Sequence, residues 1–91
     1  MAHSDGIHHA IKIYGTGWCP DTTRSRTLLD HLQIAYNFYD IEKDPAMERT
    51  ASALREGTKI PVVDLGDDHV LVVPSDADLT QALHDTGRLT D

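Results

Sequence analysis

The sequence predicts an α/β fold of element order β-α-β-α-β-β-α, a mixed four-stranded sheet flanked by helices on both faces. Three observations lead there. Short β-branched and aromatic runs alternate with stretches whose apolar residues recur every three or four positions. The first two runs are separated by a helix-length segment, as a parallel crossover requires, whereas the last two are separated only by Gly66-Asp67-Asp68, which joins antiparallel neighbours. The 91 residues, without linker, repeat or low-complexity segment, match one small domain. That domain is expected to span residues 1–91, with residues 1–9, polar and His-rich, as a flexible arm.

Each element has its own signal. Ala10-Ile11-Lys12-Ile13-Tyr14 reads as a strand that stops at Gly15-Thr16-Gly17. Ser25, Leu28, Leu29 and Leu32 then form one helical stripe. Pro20 fits only the first turn of that helix, where its missing N–H leaves no bond unmade, and this puts Cys19 at or beside the N-cap. Residues 34–41, IAYNFYDI, give the second strand. Asp44-Pro45 reads as N-cap and first residue of a second helix, with Met47, Ala51 and Leu54 on one face and Gly57 as its stop. Residues 60–65 and 69–73 form the hairpin. Ser75, followed three positions later by Asp78, opens a last helix that carries Leu79, Ala82 and Leu83 and ends at Gly87.

Composition removes several function classes. Fifteen acidic against eight basic residues give a net charge of −7, which repels phosphate backbones and anionic lipid, so neither nucleic acid nor membrane is expected as a partner. No apolar run is long enough to span a bilayer, and the start MAHSDGIHH lacks the apolar stretch of a secretory signal. Cys19 is the single cysteine, which excludes an internal disulfide and suits a reducing compartment, so a cytoplasmic protein is expected. No metal is expected either: His31 and His84 read as surface residues and Asp67-Asp68 as a turn.

Cys19 is where chemistry is expected. A thiol reacts as its thiolate, and a helix start offers free N–H groups and partial positive charge to the sulfur. Trp18 and Pro20 flank Cys19 in a loop and not in an apolar periodic run, so the sulfur is expected to be exposed. Asp21 opposes the thiolate: a carboxylate about 7 Å away disfavours it by roughly 0.6 to 1.2 kcal/mol at an effective dielectric of about 40 to 80. Thr22, three positions on and so on the same side of the helix, is expected to assist by donating a hydrogen bond to the sulfur.

The stretch YGTGWCPDTTRSRTLL resembles the strand, loop and helix that carry Cys-Pro-x-Cys in the glutaredoxin branch of the thioredoxin-fold family, with Arg24 and Arg26 on the helix. KIPVV resembles the family's cis-proline segment, and VVPSDADL the segment that opens its last helix. The similarity covers about residues 10–87 and is greatest to the small actinobacterial mycoredoxins. It implies a thioredoxin/glutaredoxin-like fold, Cys19 as the attacking thiol and a cis peptide at Ile60-Pro61. It also implies Trp18, Ile60, Pro61, Ser75 and Asp76 as the substrate-binding residues, with the Ile60 backbone pairing with a small thiol and Ser75 and Asp76 receiving its polar end. Two departures stand out. Thr22 replaces the second cysteine, and Gly15-Thr16-Gly17 lacks the lysine that many relatives carry before the first.

The function expected is therefore a monothiol oxidoreductase that reduces protein mixed disulfides through Cys19. Its co-substrate is a low-molecular-weight thiol, mycothiol or glutathione, and the chain is expected to act as a monomer. One alternative is a non-catalytic thioredoxin-fold module that binds a protein or a thiol without turnover. Another is an iron–sulfur carrier, disfavoured because Cys-Pro-Asp-Thr stands where such relatives have Cys-Gly-Phe-Ser.

Overall fold

The computed structural model describes residues 10–89, so the arm expected at 1–9 lies outside the described residues. The elements are β1 (Ile11–Gly15), α1 (Pro20–His31), β2 (Tyr36–Asp40), α2 (Pro45–Leu54), β3 (Val62–Asp64), β4 (Val70–Val72) and α3 (Asp76–Asp85). They form one sheet of order β2-β1-β3-β4, in which β1 runs parallel to β2 and antiparallel to β3, and β3 antiparallel to β4. The element order, the parallel first pair and the antiparallel hairpin are those the sequence predicts, whereas the position of β1 between β2 and β3 comes from the structure.

The helix ends follow from local chemistry. Pro20 is the first residue of α1, directly after Cys19 as N-cap. At its other end Gln33 turns left-handed (φ 59°), and the N–H groups of Gln33 and Ile34 bond back to the carbonyls of Asp30 and Leu29. Ile34 is therefore spent closing α1, and β2 begins at Tyr36 and not at residue 34. The Asp44 carboxylate accepts from the N–H groups of Ala46 and Met47 to cap α2. α2 stops at Leu54, before the expected Gly57, because Arg55 leaves the helix extended and folds back to give Glu48 Oε1 a hydrogen bond of 3.1 Å. Ser75 Oγ accepts from Asp78 N–H to start α3. Gly87 ends it at φ 78°, a conformation glycine adopts without a Cβ penalty, and the Gly87 and Arg88 N–H groups bond to His84 and Leu83.

Strand alternation sorts the core into two layers. Ile11, Ile13, Val63 and Leu65 pack against Leu29 of α1 and Leu79, Ala82 and Leu83 of α3. Tyr14 and Val62 face the other way, onto Ala51 of α2 with Met47 and Leu54 beside it. Helices therefore cover both faces. Leu29, Leu79 and Leu83 are fully buried, and each such side chain stabilises the fold by roughly 1.5 to 3 kcal/mol.

The registers decide where a site can form. Gly15 pairs with Asp40, Tyr14 with Val62, and Val62 with Val72. The exits of β1, β2 and β4 and the entry to β3 thus lie at one end of the sheet, which gathers the loops bearing Cys19, Glu42, Ile60-Pro61 and Val73–Asp76.

Candidate active site

Cys19 caps α1 with extended backbone (φ −77°, ψ 122°), and its carbonyl accepts the Thr23 N–H at 3.0 Å. Its own N–H points back to the Thr16 carbonyl at 3.4 Å. This turn folds the cysteine in and corrects one expectation: Cys19 is 8% exposed, whereas Trp18 is 68% exposed. The indole stands at the surface because Trp18 Nε1 donates to Glu42 Oε1 at 2.9 Å, tying the Cys19 loop to the segment after β2.

Thr22 corrects a second expectation. Its hydroxyl is fully buried and has no hydrogen-bond partner, so it gives none to the Cys19 sulfur. The side chain points down from α1 onto the backbone of Gly15, where an added Cβ would lie 2.8 Å from Thr22 Cγ2. Thr16 and Ser25 carry buried hydroxyls in the same condition. The inner surface of the helix start is thus shaped for packing.

Asp21 is partnered. Arg24 Nη1 donates to Asp21 Oδ1 at 2.8 Å, so the carboxylate read in the sequence as opposing a thiolate has a cation against it. The same guanidinium donates from Nη2 to the Pro74 carbonyl at 3.1 Å, and its Nε lies 4.0 Å from Asp76 Oδ1. Arg24 therefore joins the start of α1 to the start of α3.

On the far side of the loop cluster, the Ile60–Pro61 peptide bond is cis, and the Pro61 carbonyl accepts Val73 N–H at 2.8 Å. Val73 holds a left-handed backbone (φ 49°), a costly conformation for a β-branched residue. The turn it makes sends the chain from β4 straight into Pro74 and the Ser75 cap. In the first turn of α3 the N–H groups of Asp76 and Ala77 lie outside the helix's own ladder. Cys19, Trp18, Ile60, Pro61, Ser75 and Asp76 all belong to this one end of the sheet. Glu42 and the bridging role of Arg24 were not foreseen. The i, i+3 spacing of Asp21 and Arg24 signals the ion pair, and the parallel run of β1 and β2 puts Glu42, two residues past Asp40, beside the Cys19 loop.

Among the described residues, no group of three or more His, Cys, Asp or Glu is arranged to hold a metal ion, and no helix is long and apolar enough to cross a membrane.

Comparison with known proteins points the same way. The family model for glutaredoxin matches residues 11–70. Proteins of Mycobacterium tuberculosis, strains CDC 1551 / Oshkosh and ATCC 25618 / H37Rv, that carry a provisional glutaredoxin name are 34% identical over 70 residues, covering 76% of this chain and 83% of theirs. Among solved structures, a glutaredoxin from Archaeoglobus fulgidus superposes with a TM-score of 0.69 at 18% identity, over 84% of this chain and 86% of that one. A glutathione S-transferase of the silkworm Bombyx mori gives 0.64 at 17% identity, over 88% of this chain but 39% of its own. At such identities the superpositions speak for the thioredoxin-like fold alone. The sequence matches go further, and with the cysteine at a helix start and the proline before β3 in the family's order, the chain belongs to the glutaredoxin family.

Proposed function

We propose that this chain is a monothiol glutaredoxin of mycoredoxin type, working in the cytoplasm on protein mixed disulfides with mycothiol or glutathione. The observation that carries this reading is Cys19 as N-cap of α1, at the same sheet end as the cis Ile60–Pro61 bond. The exchange runs through the thiolate form of Cys19. Cys19 attacks the small-thiol sulfur of a protein–S–S–R disulfide; the Cys19–S–S–R bond forms, and the protein leaves as a thiolate that takes up a proton. A second R–SH, as its thiolate, attacks the R sulfur on Cys19, releasing R–S–S–R and Cys19 as thiolate. Electrons come from the small thiol throughout, so no second cysteine is needed.

The other residues take binding roles in this reading. The Ile60 backbone beside Pro61 pairs with the amide portion of the small thiol. Ser75 and Asp76, at a helix start with free N–H groups, receive its carboxylate end. Trp18 offers an apolar platform next to the sulfur. Thr22 has no part in the exchange beyond holding α1 against Gly15.

A second reading, a module that captures a thiol without turning over, draws support from the 8% exposure of Cys19. Intact-mass analysis separates the two. Purified protein is treated with oxidised mycothiol or, in parallel, oxidised glutathione, and then with the matching reduced thiol. Turnover requires one adduct on Cys19 that the reduced thiol removes. An adduct that persists supports the binding module, and no adduct with either thiol contradicts both.

A further inference from the structure

We propose that the groove between β4 and α3 docks an extended lysine- or arginine-rich segment of a partner protein, laid along the open edge of β4. The groove holds about 300 Å³; Leu71, Val72, Pro74 and Ala82 supply apolar lining, and Asp78 and Asp85 supply carboxylates on its helix side. Its Pro74 end adjoins Ser75, but nothing in the exchange at Cys19 uses the rest of it.

The sheet order leaves β4 at an edge. Leu65 N–H bonds to the His69 carbonyl and Val73 N–H to the Pro61 carbonyl across the hairpin. Antiparallel alternation therefore turns the N–H and C=O groups of Val70 and Val72 away from β3, toward the groove side of the edge. Val72 is 38% exposed there. An open edge with alternating groups is a template for an added strand.

Charge selects the occupant. From Asp64 to Leu89 the sequence has six Asp, no Glu, no Lys and one Arg, whereas residues 1–63 carry eight acidic and seven basic side chains. The excess negative charge of the protein is thus concentrated on the end of β3, the β3–β4 turn and α3. Asp76 and Asp78 sit in the first turn of α3, where carboxylates stabilise the helix. Asp85 does not: it ends α3, where a carboxylate meets the negative pole of the helix, and Gln81 Nε2 holds it at 2.8 Å. Helix stability gives no reason for it, whereas a cation in the groove does. The like charge of two such faces repels a second copy of the chain, and a partner with alternating apolar and basic residues satisfies edge, lining and rim together.

The test uses the full chain and a fluorescein-labelled Lys-Val-Lys-Val-Lys peptide, read by anisotropy. Saturable binding is expected, and it should weaken about tenfold when both groove carboxylates are neutralised in D78N/D85N. The control D30N/E56Q, which removes the same charge from exposed positions elsewhere, should stay within about twofold. Amide signals of Val70 and Val72 should move on titration. The proposal is overturned if the peptide shows no saturable binding, if D30N/E56Q weakens it as much as D78N/D85N, or if Glu-Val-Glu-Val-Glu binds as well. Signal changes centred away from β4, or sedimentation as a dimer that protects the β4 amides, also overturn it. Unchanged far-ultraviolet circular dichroism of both variants establishes that each is folded.

Discussion

Thr22 packs beneath Gly15 so closely that a Cβ at Gly15 would stand 2.8 Å from Thr22 Cγ2 and 3.2 Å from Thr22 Cβ. A Cβ contact of 2.8 Å is closer than real side chains come, and the obstacle is a fully buried side chain on the inner face of α1. Gly15→Ala is therefore expected to cost about 2 to 3 kcal/mol through overpacking. In the Thr22→Ala background the same change should cost about 1 to 2 kcal/mol less, because Cγ2 and the hydroxyl are gone and only the tight contact with Cβ remains. Urea denaturation of the four proteins measures the coupling, and additive costs would contradict the contact.

Thr22→Ala alone separates packing from chemistry. Removing one buried methyl destabilises by roughly 1 kcal/mol, and removing a buried hydroxyl with no partner returns a similar amount, so stability should stay within about 1 kcal/mol of the parent. The rate of Cys19 alkylation by iodoacetamide should be unchanged. A rate lowered severalfold would mean that the hydroxyl serves the sulfur after all.

Arg24 has the opposite profile. It is exposed enough that its ion pair with Asp21 adds little to stability. Its guanidinium also bonds to the Pro74 carbonyl and lies 4.0 Å from Asp76 Oδ1, so it ties the start of α1 to the start of α3. Arg24→Gln is thus expected to lower stability by less than about 1 kcal/mol. Urea denaturation of Arg24→Gln checks this, and a loss of about 2 kcal/mol or more, the size of a buried charged hydrogen bond, would place the effect in its bond to the Pro74 carbonyl.

Tyr14 gives a pH prediction. Burial, with Asp64 and the stacked Tyr39 ring at 5.4 Å adding to it, raises its phenol above the ordinary value of 10.0. A raised folded value means that the contribution of Tyr14 is fully present below about pH 10 and is lost as pH climbs through the folded value. Denaturant stability should therefore fall on the alkaline side of pH 10, and Tyr14→Phe should flatten that decline. An equal decline in both proteins would contradict the assignment.

Most of the fold was legible because its signals are local. Pro20, Asp44-Pro45, Ser75 with Asp78, and Gly87 each mark a helix end through a bond or a missing donor within one turn of the chain. What escaped depends on contacts distant in sequence. That Cys19 is folded in, that Thr22 turns to Gly15 and that Glu42 holds Trp18 all follow from how β1, β2 and α1 meet. The last two strands, Val62–Asp64 and Val70–Val72, are shorter than the apolar runs 60–65 and 69–73 predict, because the residues beside the turn and beside Pro61 share the apolar character of the paired ones.

Steady-state reduction of a peptide–mycothiol mixed disulfide by reduced mycothiol, compared between the native chain and Cys19→Ser, tests one-thiol exchange most directly. The expected result is a rate proportional to protein, with ping-pong dependence on the two substrates and complete loss in Cys19→Ser. A native rate no faster than the uncatalysed exchange, with mycothiol held on Cys19 and not released, would contradict it.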